Sequence, residues 1–404
     1  MKLTLTLLTA LLLAPLAALH AAEPFLHKQD LFEARTRGYW TCRIPGLAVT
    51  KNNVVLATSE ARPGRGGDYD FNDLLMRRST DGGKTFGPVV KLVDHAAYGD
   101  GPVSNFVMLP DRDSGRVTAV FCHDYARIFT LYSDDDGATW SKPVEITAAF
   151  EAFKTDYAWT VCATGPSHGT QLRSGRMIIP VWLSDGSGKE QGKGKRGHRP
   201  SIVSLIYSDD HGKTWKRGSI VCRHGDVIDG VTVVNPSETI AVELADGRVM
   251  FNIRSESQNG RRLVAVSADG TTGWADRRWD PALLDPVCMA SLIRCDWPKK
   301  GNAGRILFAN PDNLERKMTW SFNGKPISPP NYDRKRVTVK MSRDDGQTWA
   351  VSKVLESGPS GYSDLAILPD GTILCLYEAD TVTGMCDDRY LRLAHFNLEW
   401  LEQR

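Results

Sequence analysis

Apolar residues along this chain come in short runs, and the runs are cut by turn-forming residues. Val54 to Ala57, Val117 to Phe121, Met177 to Trp182 and Arg305 to Phe308 are rich in β-branched and large apolar side chains and are bounded by Gly, Asp, Asn or Pro. Runs of that length and composition predict β-strands. A second cue precedes several of them: Asp113-Ser114-Gly115-Arg116, Arg173-Ser174-Gly175-Arg176, Ala245-Asp246-Gly247-Arg248 and Pro369-Asp370-Gly371-Thr372. Each reads as a hairpin turn leading into an inner strand. No long amphipathic helix is visible, and Phe150 to Lys154 predicts only a short helical turn.

Between the strands an eight-residue pattern recurs, Ser-x-Asp-x-Gly-x-Thr-aromatic. It stands at Ser79 to Phe86, Ser133 to Trp140, Ser208 to Trp215 and Ser342 to Trp349, with a worn copy at Ser267 to Trp274. Asp and Gly favour a tight turn in which the carboxylate accepts backbone N–H groups. The hydroxyls can tie the turn's ends, and the last ring can pin it to a neighbouring sheet. Asp135-Asp136-Gly137 lacks the alternating oxygen ligands and closing Glu of a calcium loop, so the reading is structural. One such turn and one hairpin turn per repeat give about four strands per unit, the plan of a propeller blade.

The 404 residues exceed one ordinary domain, but all-β folds of this size can be single units. A formal charge of +2 gives no global field for nucleic acid. Lys2, the apolar Leu3 to Leu19 and the small Ala21-Ala22 read as a signal peptide over residues 1–22, which predicts an exported protein, periplasmic or secreted, with one domain over 23–404. No later stretch is apolar for long enough to span a membrane, so no integral segment is expected. Eight cysteines follow the signal, with no zinc spacing; most sit in apolar runs, where buried thiols are expected. Cys375–Cys386 and Cys288–Cys295 are the pairs to test first for disulfides. Lys189 to Arg199 is rich in Gly, Lys and Arg and reads as a solvated loop, with an anion-binding loop as the alternative.

Several arginines do not belong to the repeats. Arg43 precedes Ile44-Pro45 in an apolar strand, Arg62 follows Glu60-Ala61 at a strand end, Arg254 ends Met250 to Arg254, and Arg334 and Arg336 lead into the last repeat. Singly, each is an ordinary surface or salt-bridge residue; facing one funnel, they would bind a carboxylate through bidentate guanidinium contacts.

With these motifs and Gly358-Pro359-Ser360-Gly361-Tyr362-Ser363-Asp364-Leu365 in place, the chain resembles the bacterial exo-sialidase family from about Leu26 to its end. The resemblance implies a six-bladed β-propeller and a retaining exo-α-sialidase that acts on sialylated glycoconjugates or oligosaccharides without metal or other cofactor. It implies Arg43, Arg254 and Arg334 as a carboxylate clamp, with Arg336 an alternative to Arg334, and Arg62 near the ring's oxygen substituents. It also implies Asp68 as acid/base, with Asp70 as its competitor, Tyr362 as nucleophile and Glu238 as its proton acceptor. Sialic acid carries a carboxylate on its anomeric carbon; a neutral phenol approaches it without the repulsion that a carboxylate nucleophile would meet. His168 and Glu243 read as structural. Phe106, Tyr157 and Trp159 are the candidates for a pocket around the C5 substituent. Two further readings stay open: a trans-sialidase or hydrolase of a related 2-keto-3-deoxy sugar acid, and a carbohydrate- or protein-binding propeller without catalysis.

Overall fold

A computed structural model describes residues 22–300, 304–322, 325–327 and 332–403, with the side chains of 320–322 and 325–327 left aside. The signal-peptide expectation falls, but for Ala22, outside the described residues. Among the described residues no helix is long and apolar enough to cross a membrane.

Antiparallel strands follow one another as meanders. Thr41–Val49, Val55–Arg62, Asp73–Ser79 and Val90–Val93 form one four-stranded sheet. The next is Val103–Pro110, Val117–His123, Arg127–Ser133 and Val144–Glu145, with Ser167–His168 added in parallel to its first strand. A third is built on Val161–Thr164, Met177–Ser184 and Ser201–Ser208, and a fourth on Thr239–Glu243, Val249–Ile253, Arg261–Ser267 and Ala275–Leu284. The last sheet has seven strands and contains the 17-residue strand Val351–Ile367. The first half of that strand pairs with Lys335–Ser342 and the second with Ile373–Thr381, so two four-stranded units share it. Leu26–Glu33 pairs with Asp388–Phe396, which stitches the start of the described chain to its end. The helical turn is present as Thr147–Glu151 followed by Ala152–Thr155.

The repeated motif behaves as its chemistry predicts. In the first copy Ser79 Oγ donates to Asp81 Oδ1 at 2.7 Å and accepts from the Gly83 N–H at 2.8 Å, while Thr85 donates through N and Oγ1 to the Asp81 carboxylate. The same bonds recur at Ser133, Ser208 and Ser342, and Ser267 keeps a variant with Thr271 and Thr272. Gly83 has φ 84° and Gly137 φ 78°, the left-handed backbone that a turn of this kind needs. The closing ring packs as expected: Trp349 lies 5.7 Å from Phe308 and donates Nε1–H to Asp280.

At the centre one buried carboxylate joins four segments. Asp364 accepts from Leu47 N–H at 2.7 Å on Oδ2, and its Oδ1 meets His168 Nδ1 at 2.6 Å and Ser291 Oγ at 3.1 Å. His168 is therefore structural, as expected. Glu243 is too, since it accepts from the backbone N–H and Nε of Arg173. All eight thiols are free and six are buried, so neither Cys375–Cys386 nor Cys288–Cys295 forms a bond. Cys375 lies inside a sheet core, while Cys386 sits at the rim of the central pocket.

Candidate active site

The pocket begins with a break in a strand. Register shifts between Arg43 and Gly46, Ile44 has φ 54°, and a Cβ on Gly46 would stand 2.3 Å from Thr58 Oγ1. This bulge turns Arg43 into a cavity of about 370 Å³ and frees the Ile44 N–H to meet Glu378 at 3.2 Å. Glu378 also receives Arg43 Nη2 at 3.3 Å and the Tyr362 N–H at 3.0 Å, and Asp388 receives Arg43 Nε at 2.9 Å. One carboxylate thus aligns the first arginine with the tyrosine. Burial works against the Arg43 charge, yet Glu378 and Asp388 hold its pKa above the ordinary value. Asp388 titrates high, because burial and the neighbouring Glu378 both disfavour its charge.

Tyr362 stands amid three guanidinium groups. Arg254 Nη1 donates to its phenol oxygen at 2.9 Å, and the Arg43 and Arg334 guanidiniums lie 5.5 and 5.0 Å from its ring centre. Arg334 Nη2 donates to the Val287 carbonyl at 2.7 Å. Arg336 is exposed, so the pocket takes Arg334 and leaves the alternative outside. The phenol O–H points at Glu238, 2.6 and 2.7 Å from its two oxygens, and Arg254 pairs with the same carboxylate. Burial raises the Tyr362 pKa well above its ordinary value, with Arg254 pulling it down and Glu238 pushing it up.

Across the cavity Arg62 donates to Asp68 Oδ1 at 2.9 Å and to Glu60 at 2.8 Å. Burial raises the Glu60 pKa against the pull of Arg62. At Asp68 burial opposes ionisation, but Arg62, with His198 and Arg43, outweighs it and holds the carboxyl well below the usual range. Asp70 accepts from the Gly67 N–H and lines a separate depression beside the cavity. Of the two carboxylates only Asp68 faces the arginines.

Three expectations need correction. Phe106 is buried in the core against Trp140, Tyr157 donates to the Pro200 carbonyl, and Trp159 donates to that of Phe150; none lines the cavity. Its aromatic wall is Tyr125 and Trp182. Tyr125 sits in the hairpin turn Asp124-Tyr125, both at positive φ, and a large ring in a polar turn is the signal that sequence reading passed over. Lys189 to Arg199 is solvated in its middle, where Gly192 to Lys195 are exposed, but parts of it turn inward. Gly197 packs on the Gly188 backbone, Arg196 pairs with Asp124 at 2.6 Å, and Glu190, Gln191, His198 and Arg199 enter the cavity. Arg199 there pairs with Glu256, 2.9 Å from Nε.

The chain matches the model of a BNR repeat-like domain over residues 117–375. It is 33% identical to a sialidase of Micromonospora viridifaciens, over 94% of this chain and 55% of that protein. A sialidase of Bacteroides fragilis is 27% identical, over 83% of this chain and 60% of that protein. The chain therefore spans little more than half the length of these two relatives. A solved structure of a Hadza microbial sialidase superposes with a TM-score of 0.68 at 24% identity, covering 90% of this chain and 67% of that one, and supports a shared β-propeller fold.

Proposed function

We propose, from the premise that the chain belongs to the sialidase family with BNR-like repeats, that it is a retaining exo-α-sialidase of terminal sialic acids on glycoconjugates. The observation that carries the reading is the Tyr362–Glu238 contact inside a ring of Arg43, Arg254 and Arg334.

The three guanidiniums form a carboxylate receptor, and bidentate pairing would hold the substrate's carboxylate beside Tyr362. The phenol is neutral because burial disfavours its anion, so attack requires a base within reach, and Glu238 accepts the proton as the oxygen bonds to the anomeric carbon. The departing glycoside oxygen takes its proton from Asp68. In the free pocket Arg62 keeps Asp68 ionised. Substrate substituents that engage Arg62, together with the exclusion of water, loosen that pair and raise the carboxyl toward a protonated state. In the second step Asp68 deprotonates water, which displaces Tyr362 from the anomeric carbon, and Glu238 returns the proton to the phenolate. Two inversions give retention.

Three structural readings accompany this proposal. Six blades follow if the seven-stranded sheet counts as two units sharing Val351–Ile367. Residues 23–404 form the catalytic domain, with Leu26–Glu33 serving the last blade. The segment 1–22 exports the chain.

The test is incubation with a chromogenic aryl α-sialoside and with sialyllactose, following the first-formed sugar by NMR. Free α-anomer supports retaining hydrolysis. An anhydro sugar, a transfer product, or no release from folded protein would each overturn it.

A further inference from the structure

The loop that was expected to be solvated carries a pair of residues that the sialidase reading leaves without a task. Gln191 presents one side-chain amide nitrogen to two acceptors: Asp68 Oδ2 at 3.4 Å and His198 Nδ1 at 3.2 Å. Asp68 is therefore gripped on both oxygens, Oδ1 by Arg62 and Oδ2 by the loop. Because His198 Nδ1 accepts, the neutral ring carries its proton on Nε2. That nitrogen is buried and has no hydrogen-bond partner among the described residues. The imidazole is wedged between rings, its centre 4.6 Å from Tyr125 and 5.1 Å from Trp182, so its position is fixed by packing. Its backbone N–H is tied to Glu190, and Ser184 Oγ donates to the Gly197 carbonyl at 3.0 Å, so the loop is held at both levels.

We propose that Gln191 and His198 are positioning residues for the acid/base carboxylate, acting through Asp68 Oδ2 to aim Asp68 at the leaving oxygen. The inference rests on the sialidase reading. When Arg62 turns to the substrate, the loop pair is the contact that keeps Asp68 from swinging away. Burial disfavours the charged form of His198 and, with Arg199, outweighs the pull of Asp68, Glu190 and Glu238. Protonation of the glycoside oxygen, with the proton leaving Asp68 as the C–O bond breaks, then proceeds from a fixed geometry.

Leaving-group dependence tests this. A 4-nitrophenyl sialoside departs with little help from an acid, whereas the lactose of sialyllactose needs a proton. His198→Phe, which keeps the ring packing, and Gln191→Leu should each lower kcat on sialyllactose about tenfold or more. That is a fraction of the ~10²–10⁴ a positioned acid supplies. On the aryl substrate the same variants should lose no more than about threefold. Asp68→Ala should show the same split, larger. Equal losses on both substrates, or a change confined to KM, would overturn the positioning role while leaving the sialidase reading intact. Absence of the split in Asp68→Ala would remove the acid itself, and with it the inference. A wild-type protein that cleaves neither substrate would defeat both readings.

Discussion

Tyr362 and Glu238, 124 residues apart in the chain, share one proton position: the phenol oxygen is 2.6 Å from one carboxylate oxygen and 2.7 Å from the other. The pair is buried and ringed by the guanidiniums of Arg43, Arg254 and Arg334.

The first prediction follows from that contact. Tyr362→Phe removes the oxygen proposed to attack and leaves the ring between Arg43 and Arg334. Release of an aryl α-sialoside should fall by about 10³-fold or more, with the circular dichroism spectrum unchanged. Glu238→Gln keeps the shape but cannot take the proton, and should cost about 10²-fold or more in kcat. Retention of near-native turnover in Tyr362→Phe would end the nucleophile assignment.

Arg334 and Arg336 allow a paired comparison two residues apart. Arg334 is buried against Tyr362, and Arg336 is exposed with φ 63°. Arg334→Ala should raise KM for the aryl sialoside by about ten- to a hundredfold, the loss of a charged bidentate partner. Arg336→Ala should leave KM within about twofold. Steady-state kinetics on both variants checks the assignment, and a reversed pattern would move the clamp to Arg336.

The contrast between those two residues shows where the sequence was readable. The Ser-x-Asp-x-Gly-x-Thr turns could be read because their bonds are local: Ser79, Asp81 and Thr85 lie within seven residues. The arginines stood out because a guanidinium in an apolar strand demands a partner. The second tier did not stand out. Glu378 and Asp388 beneath Arg43, and Glu60 beneath Arg62, are ordinary acidic residues until the fold brings them under a buried cation. The choice of Phe106, Tyr157 and Trp159 failed because aromatic content does not say which face of a strand or turn a ring occupies. Tyr125 and Trp182 won those places because positive φ at Asp124 and Tyr125 turns one ring inward, beside the other. The loop 189–199 was half legible from composition: Lys193 and Lys195 in its middle are exposed to water, whereas Arg196 and Arg199 are met by Asp124 and Glu256.

Two histidines should give the protein opposite limbs in its pH-stability profile. His395 is held neutral, its pKa lowered from 6.5 to about 4 by burial and by His27 beside it. The unfolded chain binds that proton first, so the contribution of His395 is complete above 6.5 and is lost as pH falls toward 4. At His168 burial works against the charge, but Asp364 at 2.6 Å overrides it and raises the pKa above 6.5. Its contribution is complete below 6.5 and fades as pH rises through the raised value. Melting temperatures measured across pH should show His395→Gln flattening the acid limb and His168→Gln flattening the alkaline one. The same slopes in variant and wild type would refute the corresponding linkage.

The Asp364 junction should behave as a unit. Its carboxylate collects the Leu47 N–H, the His168 ring and the Ser291 hydroxyl from three separate segments, all around a buried site, and Leu365 N–H adds a fourth bond at 3.0 Å. Asp364→Ala leaves these donors without an acceptor in a place water does not reach, and each such loss costs about 1–3 kcal/mol. The whole should therefore fall by several kcal/mol, enough to unfold a marginal domain at physiological temperature. Asp364→Asn is the sharper variant, since it keeps the volume and one acceptor oxygen. It should cost less than Ala, and it should make His168→Gln nearly free, because the imidazole then has no charge to meet. A double-mutant cycle by denaturant unfolding would show a coupling energy of about 1 kcal/mol or more between the two positions. Additive losses would mean that Asp364 serves its neighbours separately, and that the centre of the propeller is held by packing rather than by this carboxylate.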